Sequence, residues 1–360
     1  MIKGLARRAK GNTARVWRRL EHLGNLAPPS GVSLIYHRIA QPLADPWNMS
    51  VSPERFAMHM EIVRRFALPC TFADFADRLN AKMPEPSISV TFDDGYVDNL
   101  QALPILEAHD VPATIFVISG AVGNSRAFWW DLLTRIFLET PSLPRQLTFM
   151  AGGKPLHYDL GPAAGYGPAD LLRSAGWRAD ESLPEDARQR TYLDVWAHLV
   201  GLPPEDISMA ALELRAWAGL PETEPTDSQP RPVTHAELQR LADSPLIEIG
   251  GHTRTHADLS SLSPTQAATE IGDGRRDLIE MTGRDIRSFA YPYGRFGPDT
   301  IADVRAAGFA CAGNSRSRRA TPRNDLHALP RVHAHDLSAE DFEALLATFM
   351  APRRNRGARS

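Results

Sequence analysis

Short apolar runs of strand length alternate with helical stretches along most of this chain, and polar residues cluster where the runs end. Such alternation implies a parallel sheet, open or closed into a barrel, because parallel neighbours need a crossover that is usually a helix. The runs are VSLIY (32–36), SISVTF (87–92), PATIFVI (112–118), LIEIGG (246–251), SFA (288–290), FACAG (309–313) and LPRV (329–332). Tyr36-His37-Arg38 ends the first, Asp93-Asp94-Gly95 the second, and His252-Thr253-Arg254-Thr255-His256 lies just past the fourth. In a (β/α) barrel the carboxyl ends of the strands are where an active site is built.

Helix signals fill the intervals. Ser52-Pro53-Glu54 places an N-cap and a first-position proline before the stripe Phe56, Met60, Val63 and Phe66. Further helices are expected over about 73–79, 99–109 and 300–307 and from Ala339 to Phe349. Thr234-His235-Ala236-Glu237 is a capping box, and Ser263-Pro264 opens a helix that Gly283 ends. The alternation pauses over 119–232, read as an insertion with helices of its own and a Pro-rich loop. The domain is thus expected over 28–350, between a basic arm (1–27) and a basic tail (351–360).

With 43% hydrophobic and 23% charged residues, the composition is that of a globular protein. The formal net charge of -3 over 360 residues gives no global reason to expect nucleic acid or a strongly acidic substrate. Two distant cysteines, Cys70 and Cys311, support neither a disulfide framework nor a thiolate zinc site. The arm lacks the apolar core of a secretory signal, which points to the cytoplasm. It is read as a solvated basic segment; a helix on anionic lipid at the inner membrane is the alternative.

Three strings carry chemistry. Adjacent Asp93 and Asp94 repel unless a cation or a hydrogen-bond network compensates, so one suits a metal and the other a water; an Asp-rich turn is the structural alternative. His252 and His256 form the one His-x-x-x-His pair among twelve histidines. Chance placement gives roughly 0.4 such pairs, so the pair acquires meaning from its place after a strand. There, Gly250-Gly251 is expected to turn the chain sharply. Two imidazoles and a carboxylate suit zinc or a similar first-row ion such as cobalt. In FAYPYG (289–294), Pro292 and Gly294 bend the backbone so that N–H groups can face a cleft. The rings of Tyr291 and Tyr293 could stack there on a sugar.

In this order, TFDDG (91–95), HTRTH (252–256) and FAYPYG (289–294) resemble the NodB-homology polysaccharide deacetylases, carbohydrate esterase family 4. The resemblance covers roughly residues 31–335. It implies a distorted (β/α) barrel of about seven strands and metal-dependent removal of acetyl groups from N-acetylated sugars. It assigns Asp93 as general base, Asp94, His252 and His256 as metal ligands, and the Tyr293 backbone N–H as oxyanion donor.

Two departures matter. The family's third motif has an arginine where this chain has Ala290, and Arg331 is the expected replacement, ahead of Arg287. The general acid is His333 by position in the common arrangement. The opening Leu34-Ile35-Tyr36-His37 resembles instead a circularly permuted subgroup that also carries FAYPYG, and there the acid histidine precedes TFDDG, so His37 is preferred. Trp129 and Trp130 are read as core packing and Asp131 as a hydrogen-bond partner within the site. The expected activity is an N-deacetylase of an N-acetylhexosamine-containing saccharide, lipid-linked or polymeric. The alternatives are a hydrolase of another ester or amide and a catalytically inactive sugar-binding barrel.

Overall fold

The computed structural model describes residues 31–82, 85–221 and 230–350. The basic arm, the basic tail and the Pro-rich stretch 222–229 lie outside the described residues.

Eight strands run on one path. They are β1 (Gly31–Tyr36), β2 (Ser87–Phe92), β3 (Ala113–Val117), β4 (Ile247–Gly251), β5 (Ser288–Ala290), β6 (Cys311–Asn314), β7 (Leu329–Pro330) and β8 (Val332–His333). Their spatial order is β7-β6-β5-β4-β3-β2-β1-β8, every pairing parallel, with Leu68–Cys70 added beside β2. Only Arg331 separates β7 from β8, so one stretch of chain joins both ends of the path. The expected barrel is present, nearly closed, with seven staves if that stretch counts once.

The period-two alternation of a strand decides what faces where. Val32, Leu34, Tyr36, Ile88, Val90 and Phe92 face the surrounding helices in the main core. That core includes Phe56, Met60, Val63 and Phe66 of the helix Pro53–Phe66, whose start Ser52 caps by accepting from the Arg55 N–H. The intervening positions, Ser33, Ser89, Thr91, Thr114 and Ser288, are small, polar and buried. They line an interior closed at one end by Phe72 and Phe75 of the helix Phe72–Asn80. There Glu248 accepts from Thr114 Oγ1, Ser288 Oγ and the Ala73 N–H, so its burial is compensated.

Between β3 and the helix His235–Asp243 a second core forms around Leu132, Ile136, Phe137, Tyr192, Val195 and Leu214. Its helices include Trp129–Thr134, Ala187–Leu199 and Pro204–Trp217. The insertion also holds a feature the sequence reading missed, an antiparallel hairpin of Gln146–Ala151 and Lys154–Asp159. Among the described residues no helix is long and apolar enough to cross a membrane.

Candidate metal and catalytic site

Asp93 and Asp94 follow the last residue of β2. The Asp93 N–H still donates to the Tyr36 carbonyl at 3.0 Å, continuing the ladder. Asp94 and Gly95 then take positive φ of 76° and 73°. This abrupt turn sends two adjacent carboxylates to different partners. For Asp94 the left-handed backbone costs about 1–2 kcal/mol, strain of the kind that concentrates at functional sites.

The histidines arrive from β4, but not by the expected mechanism. Gly250 and Gly251 lie within the strand and lack positive φ. Their reason is space: a Cβ on Gly250 would lie 2.5 Å from Phe116, and one on Gly251 2.9 Å from Phe309. The turn comes later, at Thr253 and His256, with φ of 59° and 62°. His252 Nδ1 lies 2.8 Å from the Ala290 carbonyl, which orients Nε2 toward Asp94. Nε2 of His252 and Nε2 of His256 each stand 3.4 Å from Asp94 Oδ1.

One ligand atom from each of Asp94, His252 and His256 therefore lies within 4.8 Å of the others. Asp94 Oδ1 is buried without a hydrogen-bond partner. Burial pushes His256 down to about 3, so that ring is neutral. Burial acts likewise on His252, but Asp94 and Asp93 outweigh it and hold that ring above its ordinary value. The cluster thus attracts one positive charge, a proton on His252 or a metal ion held by all three. The donor set fits such an ion: one carboxylate and two imidazoles, with room left for water and substrate.

Asp93 belongs to a different partner. Arg331, between β7 and β8, reaches across the barrel and donates Nη1 and Nη2 to its two carboxylate oxygens at 2.7 and 2.8 Å. Nη1 also reaches Thr91 Oγ1 at 3.0 Å, and the guanidinium lies 5.0 Å over the Phe116 ring. Burial alone would raise the Asp93 carboxyl; Arg331, with His252 and His37, outweighs it and holds the group well below the carboxylate range. Ala290, in the place of the family's arginine, is fully buried in the same interior. Arg287 instead pairs with Asp77, a partly exposed contact away from the cleft.

Arg331 can cross the barrel because Gly313 lacks a side chain. A Cβ there would sit 2.7 Å from Arg331 Nε and 3.0 Å from Phe72. Gly313→Ala is therefore expected to push Arg331 off Asp93, costing roughly 1–3 kcal/mol. Denaturant unfolding tests this, and an unchanged midpoint would contradict it.

His37 and His333 line the same cleft, their rings parallel at 6.0 Å. Burial, with His37 and His335 beside it, pushes His333 down to about 3. Tyr293 has a left-handed φ of 57°, and its ring meets His256 edge-on at 4.6 Å. Tyr291 requires a correction. Its side chain is 1% exposed, packed against Phe289 and Phe296, with its hydroxyl donated to the His327 carbonyl. Tyr291 borders the cleft, but enclosed to this degree its ring offers little surface to a sugar.

Trp129 and Trp130 also depart from a plain core role, because both line the cleft, about 200 Å³ in volume, and Trp130 packs 4.9 Å from His256. Trp130 Nε1 donates to the Tyr96 hydroxyl, which donates to Asp131 Oδ2. Asp131 thus acts through Tyr96. Sequence reasoning missed Tyr96, Thr91, Trp47 and Trp196; the last two line the cleft from outside any motif.

A family model described as Polysaccharide deacetylase matches residues 80–140 and 222–312. These stretches carry Asp93, Asp94, His252, His256 and Tyr293, whereas His37, Arg331 and His333 fall outside them. Over these two stretches, less than half of its length, the chain is similar to that family. The Bacillus subtilis protein YxkH, whose own assignment as a polysaccharide deacetylase is provisional, is 25% identical over 100 residues. That match covers 28% of this chain and 36% of YxkH, about a third of the relative's length. A polysaccharide deacetylase from Bacillus cereus superposes with a TM-score of 0.53 at 17% identity, over 89% of this chain and 69% of that one. IcaB from Ammonifex degensii gives 0.51 at 19% identity, over 89% and 97%. At these identities the likeness concerns the fold, an α/β barrel.

Proposed function

We propose that this chain is a divalent-metal-dependent carbohydrate N-deacetylase, a hydrolase that removes acetyl groups from N-acetylhexosamine units. The observation that carries the reading is the pair of neighbouring carboxylates with opposite assignments. Asp94 converges with His252 and His256 on a site for a cation, while Arg331 clamps Asp93 beside it. A sugar-binding barrel without turnover has no use for both.

Asp94, His252 and His256 would hold the ion, zinc or cobalt by their ligand chemistry. When bound, such an ion supplies Lewis-acid polarisation of the amide carbonyl and makes water more acidic. Asp93, kept ionised and fixed in orientation by Arg331, accepts a proton from the attacking water as the new C–O bond forms. The Tyr293 backbone N–H is assigned to the developing oxyanion. A histidine then gives its proton to the amine as the C–N bond breaks and acetate departs. His37 takes that role, since His333 is held neutral far below physiological pH. A histidine just past the end of β1, ahead of Asp93 in the chain, is also where the resemblance to the permuted subgroup puts the acid.

Acetate release from chito-oligosaccharides by the purified full chain tests the reading, after metal stripping and resupply with zinc or cobalt. The wild type is expected to be active only with metal, and Asp93→Asn to lose about 10²–10⁴-fold in rate. Acetate from O-acetylated xylan alone would replace the amide by an ester, and saccharide binding without any acetate would leave a binding barrel.

A further inference from the structure

The two histidines of the cation site are held in different ways. His252 Nδ1 lies 2.8 Å from the Ala290 carbonyl, whereas His256 Nδ1 is buried with no hydrogen-bond partner among the described residues. A metal-ligating imidazole ordinarily fixes its ring through its second nitrogen. The His256 ring is instead enclosed by other rings, with Tyr293 at 4.6 Å and His252 and Trp130 each at 4.9 Å between centres. Trp130 comes from the insertion, and it is itself fixed from behind. Its Nε1 donates to the Tyr96 hydroxyl at 2.6 Å, and that hydroxyl donates to Asp131 Oδ2 at 2.8 Å. An indole N–H can only donate, so the hydroxyl oxygen accepts there and its own proton goes to Asp131. Phe128 adds packing, stacked on Trp130 at 4.7 Å and edge-on to Tyr96 at 5.0 Å. Arg38, just past β1, anchors the far end. Its guanidinium lies 5.2 Å over the Tyr96 ring, its Nη1 stands 3.8 Å from Asp131 Oδ1, and its Nε donates to Asp98 at 2.8 Å.

We infer that the insertion belongs to the framework of the metal site: Tyr96 and Asp131 are positioning residues that hold Trp130 against His256, in place of the protein hydrogen bond this ligand lacks. The inference rests on the reading of Asp94, His252 and His256 as metal ligands. It concerns how the site is kept ready for an ion, whatever bond is then broken there. A hydrogen-bond chain that ends on a carboxylate has a fixed direction, and each link polarises the next. Tyr96 is fully buried, so water does not compete for its hydroxyl. Three segments far apart in sequence meet in this brace: the turn after β1, the turn after β2 and the first helix of the insertion. With no hydrogen bond to resist rotation of the His256 ring, a displaced indole would leave that ring free to turn Nε2 away from Asp94.

Zinc affinity of the full chain, measured by competition with a chromophoric chelator, tests this. Tyr96→Phe keeps the ring and removes only the hydroxyl, and it is expected to weaken zinc binding about 10–100-fold. Asp131→Ala should act in the same direction. Asp131→Asn, whose carboxamide oxygen still accepts from Tyr96, should recover most of that loss. Thermal unfolding in chelator reports on folding: a purely structural network would lower the melting temperature and leave the zinc affinity of the folded protein where it was. An unchanged affinity in folded Tyr96→Phe, or an Asp131→Asn protein as weak as Asp131→Ala, would overturn the inference. No zinc binding by the wild type would overturn the metal-site reading and the inference with it. Zinc binding that follows the expected order, with no acetate from the wild type, would overturn only the deacetylase reading.

Discussion

Replacing Arg331 with methionine is expected to cost about 3–5 kcal/mol of stability at neutral pH, because it strands the buried Asp93 carboxylate. The two groups are almost wholly enclosed, at 1% and 6% exposure, so solvent cannot substitute for the lost guanidinium. The pH dependence has a definite sign. In the wild type the folded Asp93 group lies below its unfolded value of about 3.9, so its contribution is complete above that pH. It is lost as pH falls toward the folded value. In the variant only His252 and His37 still oppose burial, so the protonated form gains and acid relieves the defect. The stability gap between the two proteins should therefore be widest near pH 7 and narrow below about pH 4. Denaturant titrations across that range measure it, and a gap independent of pH would show that Asp93 is not the affected group. On the proposed deacetylase reading, activity should fall about 10²-fold or more, since Asp93 loses its fixed orientation.

Asp94→Asn should separate metal binding from folding. Asp94 Oδ1 is buried without a hydrogen-bond partner, and before a cation arrives its charge is answered only by the neighbouring imidazoles, His252 above all. In chelator the variant is expected to lose only the small stability that this pairing supplies. Zinc at a hundred times its dissociation constant should stabilise the wild type by about 2.7 kcal/mol and the variant far less. Scanning calorimetry with chelator and with zinc reads both effects. Equal zinc-induced shifts in the two proteins would mean that the ion binds elsewhere.

The legible part of the sequence was the part governed by local chemistry. Ser52, Thr234 and Gly283 mark helix ends because caps satisfy nearby backbone groups, and all three cap as expected. Asp93, Asp94, His252 and His256 were visible as strings at strand ends, and Arg331 as the basic residue of the last strand candidate, LPRV. Other signals were present but unread. Leu147 and Phe149 alternate with exposed residues before Gly152-Gly153, a pattern for a tight hairpin. Phe289 and Tyr291 are two residues apart and pack together in the main core, which strand alternation already suggests for Tyr291. Trp47 and Trp196 could not be read, since nothing local reveals that a loop and an insertion helix meet over β2.

The stretch 329–333 makes catalytic geometry a property of the barrel's seam. Its strands are two residues each, held to β6 through Leu329 and Pro330 and to β1 through Val332 and His333. The group that aligns Asp93 sits between them. Short pairings open locally at lower free energy than the body of a sheet. A chain with its helices and cores intact can then be inert, because one parted seam withdraws the guanidinium. Loss of function on warming would precede loss of fold, and amide exchange at Val332 and His333 would time it.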